Sequence, residues 1–342
     1  LSLLAIRQYL HYWALALPFI VLLCVRPPRP AAPGEARARR NVPYGAAAAL
    51  LFAAIIAAFL AIEYVFMEGL WRPYDILSYY GLAGAASNTI LGYVDNGTPR
   101  PLLLLSVGLT AHIPWNLVIT GFLALASAII VAAIGVRSYG LPAGLLAGLL
   151  FTSSIAWALG YFTIPEALAL SLVLLSAYLL QRARSGTGYL VSGAFAGLAA
   201  CFAPLALALA PASAFAAWKK KDGGHVPALL LGVTLPIAAA VCLAFAMYGD
   251  SAPGLDMDSG LTLAGISIGG IPYRTSDAIM AIAGIALAVC LLTVPLPVAL
   301  AAFASEKHRT PMDAYFLLAG LGFIASLPLK AYVHYWFMAL PF

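Results

Sequence analysis

Apolar residues in this chain gather into long runs, and the polar positions that separate them are charged clusters or Pro/Gly-rich breaks. A helix needs about 20 apolar residues to cross a hydrocarbon core, and the runs offer that almost end to end. Cutting the chain at its charge clusters predicts helical spans at about 1–25, 44–66, 117–136, 140–160, 167–181, 188–202, 203–217, 226–248, 277–304 and 311–328, with a last one starting near 331. The stretch that opens RPPRPAAPGEARARR, 26–43, is basic and rich in Pro and Ala, and it predicts a solvated linker. Two connections are long, 67–116 and 249–276, and long connections are where function concentrates. The expected fold is all-α: a polytopic transmembrane helical bundle of about 10 to 11 spans, with short surface helices in the first long loop.

Composition narrows the class. At 63% hydrophobic and 9% charged residues, with a mean hydropathy of +0.96, the chain departs far from a soluble domain, whose apolar share is about half and whose charged share is about a quarter. Disordered tails, coiled coils and nucleic-acid modules are excluded. Cys24, Cys201, Cys242 and Cys290 all fall inside apolar runs without metal-ligand spacing, so they are expected as small core residues.

Charge supplies orientation, because short cytoplasmic loops carry an excess of Lys and Arg. With the linker inside, following the spans puts 13 of the 18 basic residues inside, among them Arg137, Arg182, Arg184, Lys219, Lys220, Lys221, Lys307 and Arg309. Outside remain Arg7, Arg72, Arg100, Arg274 and Lys330. The same topology carries Glu68, Asp75, Asp95, Glu166, Asp250, Asp256, Asp258 and Asp277 to the outer surface, so both long connections face out and the localisation expected is a multi-pass cell-membrane protein. A signal peptide is an alternative for the first span, and the basic linker after it argues against cleavage. The segment RQYLHYWALALPF, 7–19, returns as KAYVHYWFMALPF, 330–342, in one register. Two such copies predict one unit of a tandem array, truncated at its C-terminus, in which 1–25 resembles the last helix of a preceding repeat. Aromatic-rich helix starts at membrane surfaces offer the plainer explanation.

The candidate chemistry is outer. Asp75 follows Trp71, Arg72, Pro73 and Tyr74 just past a span. A carboxylate held there beside a cation and aromatic rings can serve as a general base, while Asp is equally a favoured helix N-cap. NGTPRPL, 96–102, has the look of a loop folding into a surface helix, and its Arg100 is available to an anionic group. Glu166 stands in the shortest outer turn, where Thr163-Ile-Pro-Glu166 fits a capping box. An acid at the outer end of a helical bundle is also a candidate functional group in its own right. Tyr273 and Arg274, in GISIGGIPYRTSD, and His334, in the repeated His-Tyr-Trp, offer contacts to a ligand phosphate, against the commoner roles of snorkelling and interfacial anchoring. Gly193 and Gly197 are spaced for a small-xxx-small helix contact and are expected to pack. Phosphate-cradling Gly loops, His-Glu-x-x-His, paired Cys and Gly-x-Ser-x-Gly are absent from the sequence.

In order, these pieces resemble the GT-C superfamily of integral-membrane glycosyltransferases, most closely the branch with the protein O-mannosyltransferases and the lipid A aminoarabinose transferases. The resemblance runs over residues 44–342. It rests on Asp75 and Pro99-Arg-Pro-Leu102 in the first outer loop and on the acidic turn Thr163-Ile-Pro-Glu166-Ala-Leu. It continues through the Gly-rich hairpin QRARSGTGYLVSGAFAGLAACFAPLALALAP with its Trp-Lys-Lys-Lys stop, and His334-Tyr-Trp-Phe-Met-Ala-Leu-Pro341. Departures are Ile76 where the family pairs a second acid with the first, Ala203 where a Lys precedes the hairpin Pro, and Pro-Arg-Pro for Pro-Pro. The resemblance implies inverting transfer of a sugar from a polyprenyl-phosphate donor to a hydroxyl acceptor on a lipid, glycan or protein. It implies Asp75 as base, Glu166 as the group orienting the acceptor, and Arg100, Arg274 and Lys330 on the phosphate, with Tyr273 and His334 beside them. No cofactor is implied, and no divalent cation is signalled by ligand spacing. Two other readings stay open: a polytopic transporter or flippase, and a non-catalytic scaffold of the same descent, for which Ile76 is the main support.

Overall fold

The computed structural model describes residues 18–22, 46–58, 94–95, 98–99, 113–152, 164–220, 222–248, 267–268, 271–272, 304 and 310–326. Among these, helices account for nearly everything. A short helical piece at 18–22 is followed by α1 (Ala46–Ala58), α2 (Ile113–Tyr139), α3 (Leu141–Thr152), α4 (Ile164–Arg182), α5 (Gly186–Phe202), α6 (Leu209–Lys219), α7 (Val226–Tyr248) and α8 (Pro311–Ser326). Two antiparallel ladders of two residues a side complete the list, β1 (Val94–Asp95) with β2 (Thr98–Pro99) and β3 (Ser267–Ile268) with β4 (Ile271–Pro272). α2, α4, α5, α7 and α8 fall within a few residues of the expected spans, α7 at the same bounds, and the spans expected at 1–25, 44–66, 140–160 and 277–304 are only partly among the described residues. β1 and β2 pair across Asn96-Gly97, a favoured two-residue hairpin sequence, and the surface helix expected after this loop falls outside the described residues.

Local sequence explains each break. Gly140 takes φ 92, the left-handed region open to glycine, and its amide bonds the Val136 carbonyl at 2.9 Å, ending α2. Pro142 then enters the first turn of α3, where it lacks nothing it needs. The tight α2–α3 hairpin depends on small residues: a Cβ on Gly144 would lie 2.3 Å from the Val136 amide nitrogen, and one on Gly148 would strike the Phe52 ring of α1. Ser185 caps α5 by accepting from the Gly188 amide at 3.3 Å. After Phe202 the chain leaves the helix at Ala203, and Pro204 opens a 3-10 turn, Pro204–Ala208, that leads into α6. Thr310 and Asp313 form a reciprocal capping box at the start of α8: the Thr310 amide donates to Asp313 Oδ2 at 2.6 Å, and the Asp313 amide to Thr310 Oγ1 at 3.3 Å.

Packing is closest between α5 and α7. A Cβ on Gly193 or on Gly197 would sit 2.1 Å from the Leu229 or Val233 carbonyl oxygen, and one on Gly232 would sit 2.2 Å from that of Leu190. The glycines at small-xxx-small spacing thus serve backbone-to-backbone approach, as their spacing predicts. Elsewhere the buried core is aliphatic and aromatic, with Phe19 of the 18–22 piece against Tyr315 at 5.9 Å and Phe316 at 6.4 Å between ring centroids. The outside is apolar too: Phe122 is 70% exposed, Val118 61%, and Leu231 and Leu235 50% each. Gly121–Tyr139 and Gly223–Ala240 are long and apolar enough to cross a membrane. Cys201 is buried, whereas Cys242 faces outward from α7, which corrects the expectation for that cysteine.

Candidate functional site

Hydrogen bonds fix which ends of the helices lie together. Gln181 at the end of α4 donates to Ser138 Oγ at the end of α2, 2.7 Å. Lys220, just past α6, donates to the Leu180 carbonyl at 2.7 Å. Tyr189 in the first turns of α5 donates to Asp222 at 2.7 Å, and Tyr139 donates to Asp313 at the start of α8. Four connections therefore meet at one end of the bundle, with Arg137, Arg182, Arg184, Lys219 and Lys220 among them. The helix ends expected to face out lie at the other.

Side-chain registers also give depth. Helices α2 and α4 run parallel, with Ser127 Oγ 3.0 Å from Ser171 Oγ, and α4 and α5 run antiparallel, with Ser176 Oγ 2.8 Å from the Ser192 carbonyl. Continued along the helices, these registers set the Glu166 backbone, two residues into α4, level with Phe122 of α2 and with Phe202 at the end of α5. The Cys201 thiol lies 3.8 Å from the Pro236 carbonyl, so the proline inside α7 stands close to the same level. From there α2 runs on for about 13 Å and α7 for about 18 Å, at 1.5 Å per residue. The described helices thus end in a step: α4 and the α5–α6 hairpin stop low, and α2 and α7 project past them.

Glu166 belongs to the first turn of α4, directly after Thr163 and with Pro165 at a position where its missing amide costs nothing. A carboxylate in a first helical turn gains about 0.3–1 kcal/mol from the amide-rich end of the helix. The Glu166 side chain, and Asp75, Arg100, Tyr273, Arg274, Lys330 and His334 altogether, lie outside the described residues. The backbone around three of them is partly described. Arg100 follows β2 directly, and Tyr273 and Arg274 follow β4 directly, so each of these cations comes one or two residues after a two-residue hairpin. Asn96-Gly97 and Gly269-Gly270 were the signals for those turns.

A second polar group sits at the basic end and was not read from the sequence. The Tyr189 ring stacks on His225 at 5.4 Å between centroids, Lys220 Nζ lies 6.0 Å from the same ring, and Asp222 takes the Tyr189 hydroxyl. Burial pushes the Lys220 ammonium below its ordinary pKa, Asp222 opposes that, and Arg137 adds to it. These contacts join helix ends that are 31 to 36 positions apart, which no local pattern announces. Among the described residues no three His, Cys, Asp or Glu side chains come together as metal ligands. No protein-family model, curated protein or solved structure matches the chain.

Proposed function

We propose that the chain is a membrane glycosyltransferase of GT-C type, moving a sugar with inversion from a polyprenyl-phosphate donor to a hydroxyl acceptor at the end of the bundle away from the basic connections. The observation that supports this most is the stepped end. Glu166 starts a helix about 24 Å from the level of Arg182, short of the roughly 30 Å of a hydrocarbon core. An acid at that depth suits a substrate whose tail stays in lipid while its phosphate and sugar reach the surface. Asp75 is the base, Glu166 orients the acceptor, and Arg100, Arg274 and Lys330 stabilise the phosphate leaving group, whose charge grows in the transition state. Tyr273 and His334 complete the phosphate contacts.

The test is transfer from a radiolabelled polyprenyl-phosphate sugar in membranes. Asp75→Asn keeps the capping oxygen and the volume, so a capping role leaves turnover near normal, whereas loss of a base lowers it about 10²- to 10⁴-fold. Thermal unfolding unchanged by the substitution confirms that folding is intact. Turnover at the native level would remove Asp75 from the chemistry and favour the scaffold reading.

A transporter or flippase is the second reading, and the break at Ala203–Pro204 together with Pro236 inside α7 favours it, since interrupted helices mark transport sites. Against it, the polar side chains buried between the described spans away from their ends are hydroxyls, those of Ser127, Ser176, Ser192, Ser213 and Tyr315, rather than charged groups.

A further inference from the structure

Among the described residues, the basic end has more cations than its carboxylates answer. Asp222 and Asp313, the described acids there, are engaged by the hydroxyls of Tyr189 and Tyr139. Arg182 turns instead to the Tyr178 hydroxyl at 3.1 Å and lies 5.5 Å over that ring, and Lys219 lies 5.5 Å over the Phe215 ring. Helix C-termini gather here, and their carbonyl ends account for Lys220, which bonds the Leu180 and Gln181 carbonyls. They do not account for Arg182, Arg184 and Lys219, which are exposed.

The arrangement of these cations is layered. In α4 and in α6, which both run toward this end, an aromatic residue precedes a cation by four positions, Tyr178 before Arg182 and Phe215 before Lys219. The bonds of Lys220 to Leu180 and Gln181 hold the two pairs level. Trp218, 66% exposed, stands against Gly223 at the entry to α7, and about one to two and a half turns into α7, Leu230, Leu231 and Leu235 present an exposed aliphatic face. Cations, then aromatic rings, then aliphatic side chains repeat the order of an anionic phospholipid: phosphate, interface, acyl chains.

We infer that the basic end of the bundle binds anionic phospholipid headgroups of the leaflet it faces, with Arg182, Arg184 and Lys219 on the phosphates and Trp218 at the interface. The inference rests on the membrane reading and is independent of the glycosyltransferase. The full chain is reconstituted in bilayers of equal dioleoylphosphatidylglycerol and dioleoylphosphatidylcholine, and the lipids it retains on extraction are counted by native mass spectrometry. At about fivefold per near-surface cation, the native chain prefers the glycerol lipid, and Arg182→Gln/Arg184→Gln/Lys219→Gln lowers that preference about 10²-fold. Arg184→Gln alone, on a connection outside the helices, lowers it about fivefold and serves if the triple variant does not fold. Equal retention of the two lipids by the native chain, or an unchanged preference in the variants, overturns the inference. Displacement by millimolar inorganic phosphate overturns it as well, since that identifies a site for free phosphate. A native chain that enters neither pure lipid refutes the membrane reading instead.

Discussion

Asp313 is buried at the start of α8 yet faces no cation among its bonded partners: a tyrosine hydroxyl from α2 and the Thr310 amide hold its two oxygens. Truncating one partner of a buried carboxylate strands the other, which costs about 1–3 kcal/mol. Tyr139→Phe keeps the ring in place and is expected to lower stability by that amount in thermal unfolding, whereas Tyr178→Phe, on an exposed contact to Arg182, changes it little. The glycines of α5 offer a harder limit. Gly197→Ala drives a methyl group into the Val233 carbonyl oxygen with no flexible side chain to yield, so α5 and α7 must separate. Overpacking of this kind costs about 1–3 kcal/mol, and the same assay reads it against Gly224→Ala, where an added Cβ meets nothing within 4 Å.

At the scale of elements, the topology makes an expectation that Gly224 also serves. A single Cys there and one at Gly97 should label from opposite faces of the membrane, because Gly224 belongs to the basic end and Gly97 to the first long connection. Labelling of both from one face would reverse the assignment of the outer end. The helices of this bundle were largely legible beforehand: apolar runs and charge clusters mark α2, α4, α5, α7 and α8 to within a few residues, since each break carries its own Gly, Pro or basic signal. What escaped has physical reasons. The span expected from 203 gives its first turn to a 3-10 geometry, because Pro204 cannot continue the α5 ladder and holds Ala203 in extended backbone. The hairpins at 94–99 and 267–272 are too short for any periodicity and are announced by their turn residues alone. For the candidate site, the sequence supplies residue types and the side of the bundle, while the depth of Glu166 emerges from serine contacts 16 and 44 positions apart.

Across the whole molecule the two ends differ in kind. Among the described helices, one end is tied level by tyrosine–aspartate and lysine–carbonyl bonds, and at the other α2 and α7 extend past the start of α4 and the turn between α5 and α6. Glu166→Gln in the membrane transfer assay separates two roles for the low step. A helix-capping role predicts a loss of stability of about 1 kcal/mol or less with turnover kept, and a role on the acceptor predicts a raised KM or a lowered kcat with folding unchanged.

The low step also bears on how the chain enters a bilayer. Helix α6 has 11 residues, about 16 Å, which is half a hydrocarbon core, so as it leaves the ribosome it cannot hold a crossing by itself. Helix α5, at 17 residues, is itself near the lower limit. The Pro204 bend turns the chain back toward the end where α5 began, α6 packs chiefly on α8 and α7, and the basic run beginning at Lys219 stays on the side where Gly186 started. The pair must therefore be released into lipid together, as one insertion unit, and a charge placed in α6 should stall both halves rather than only its own.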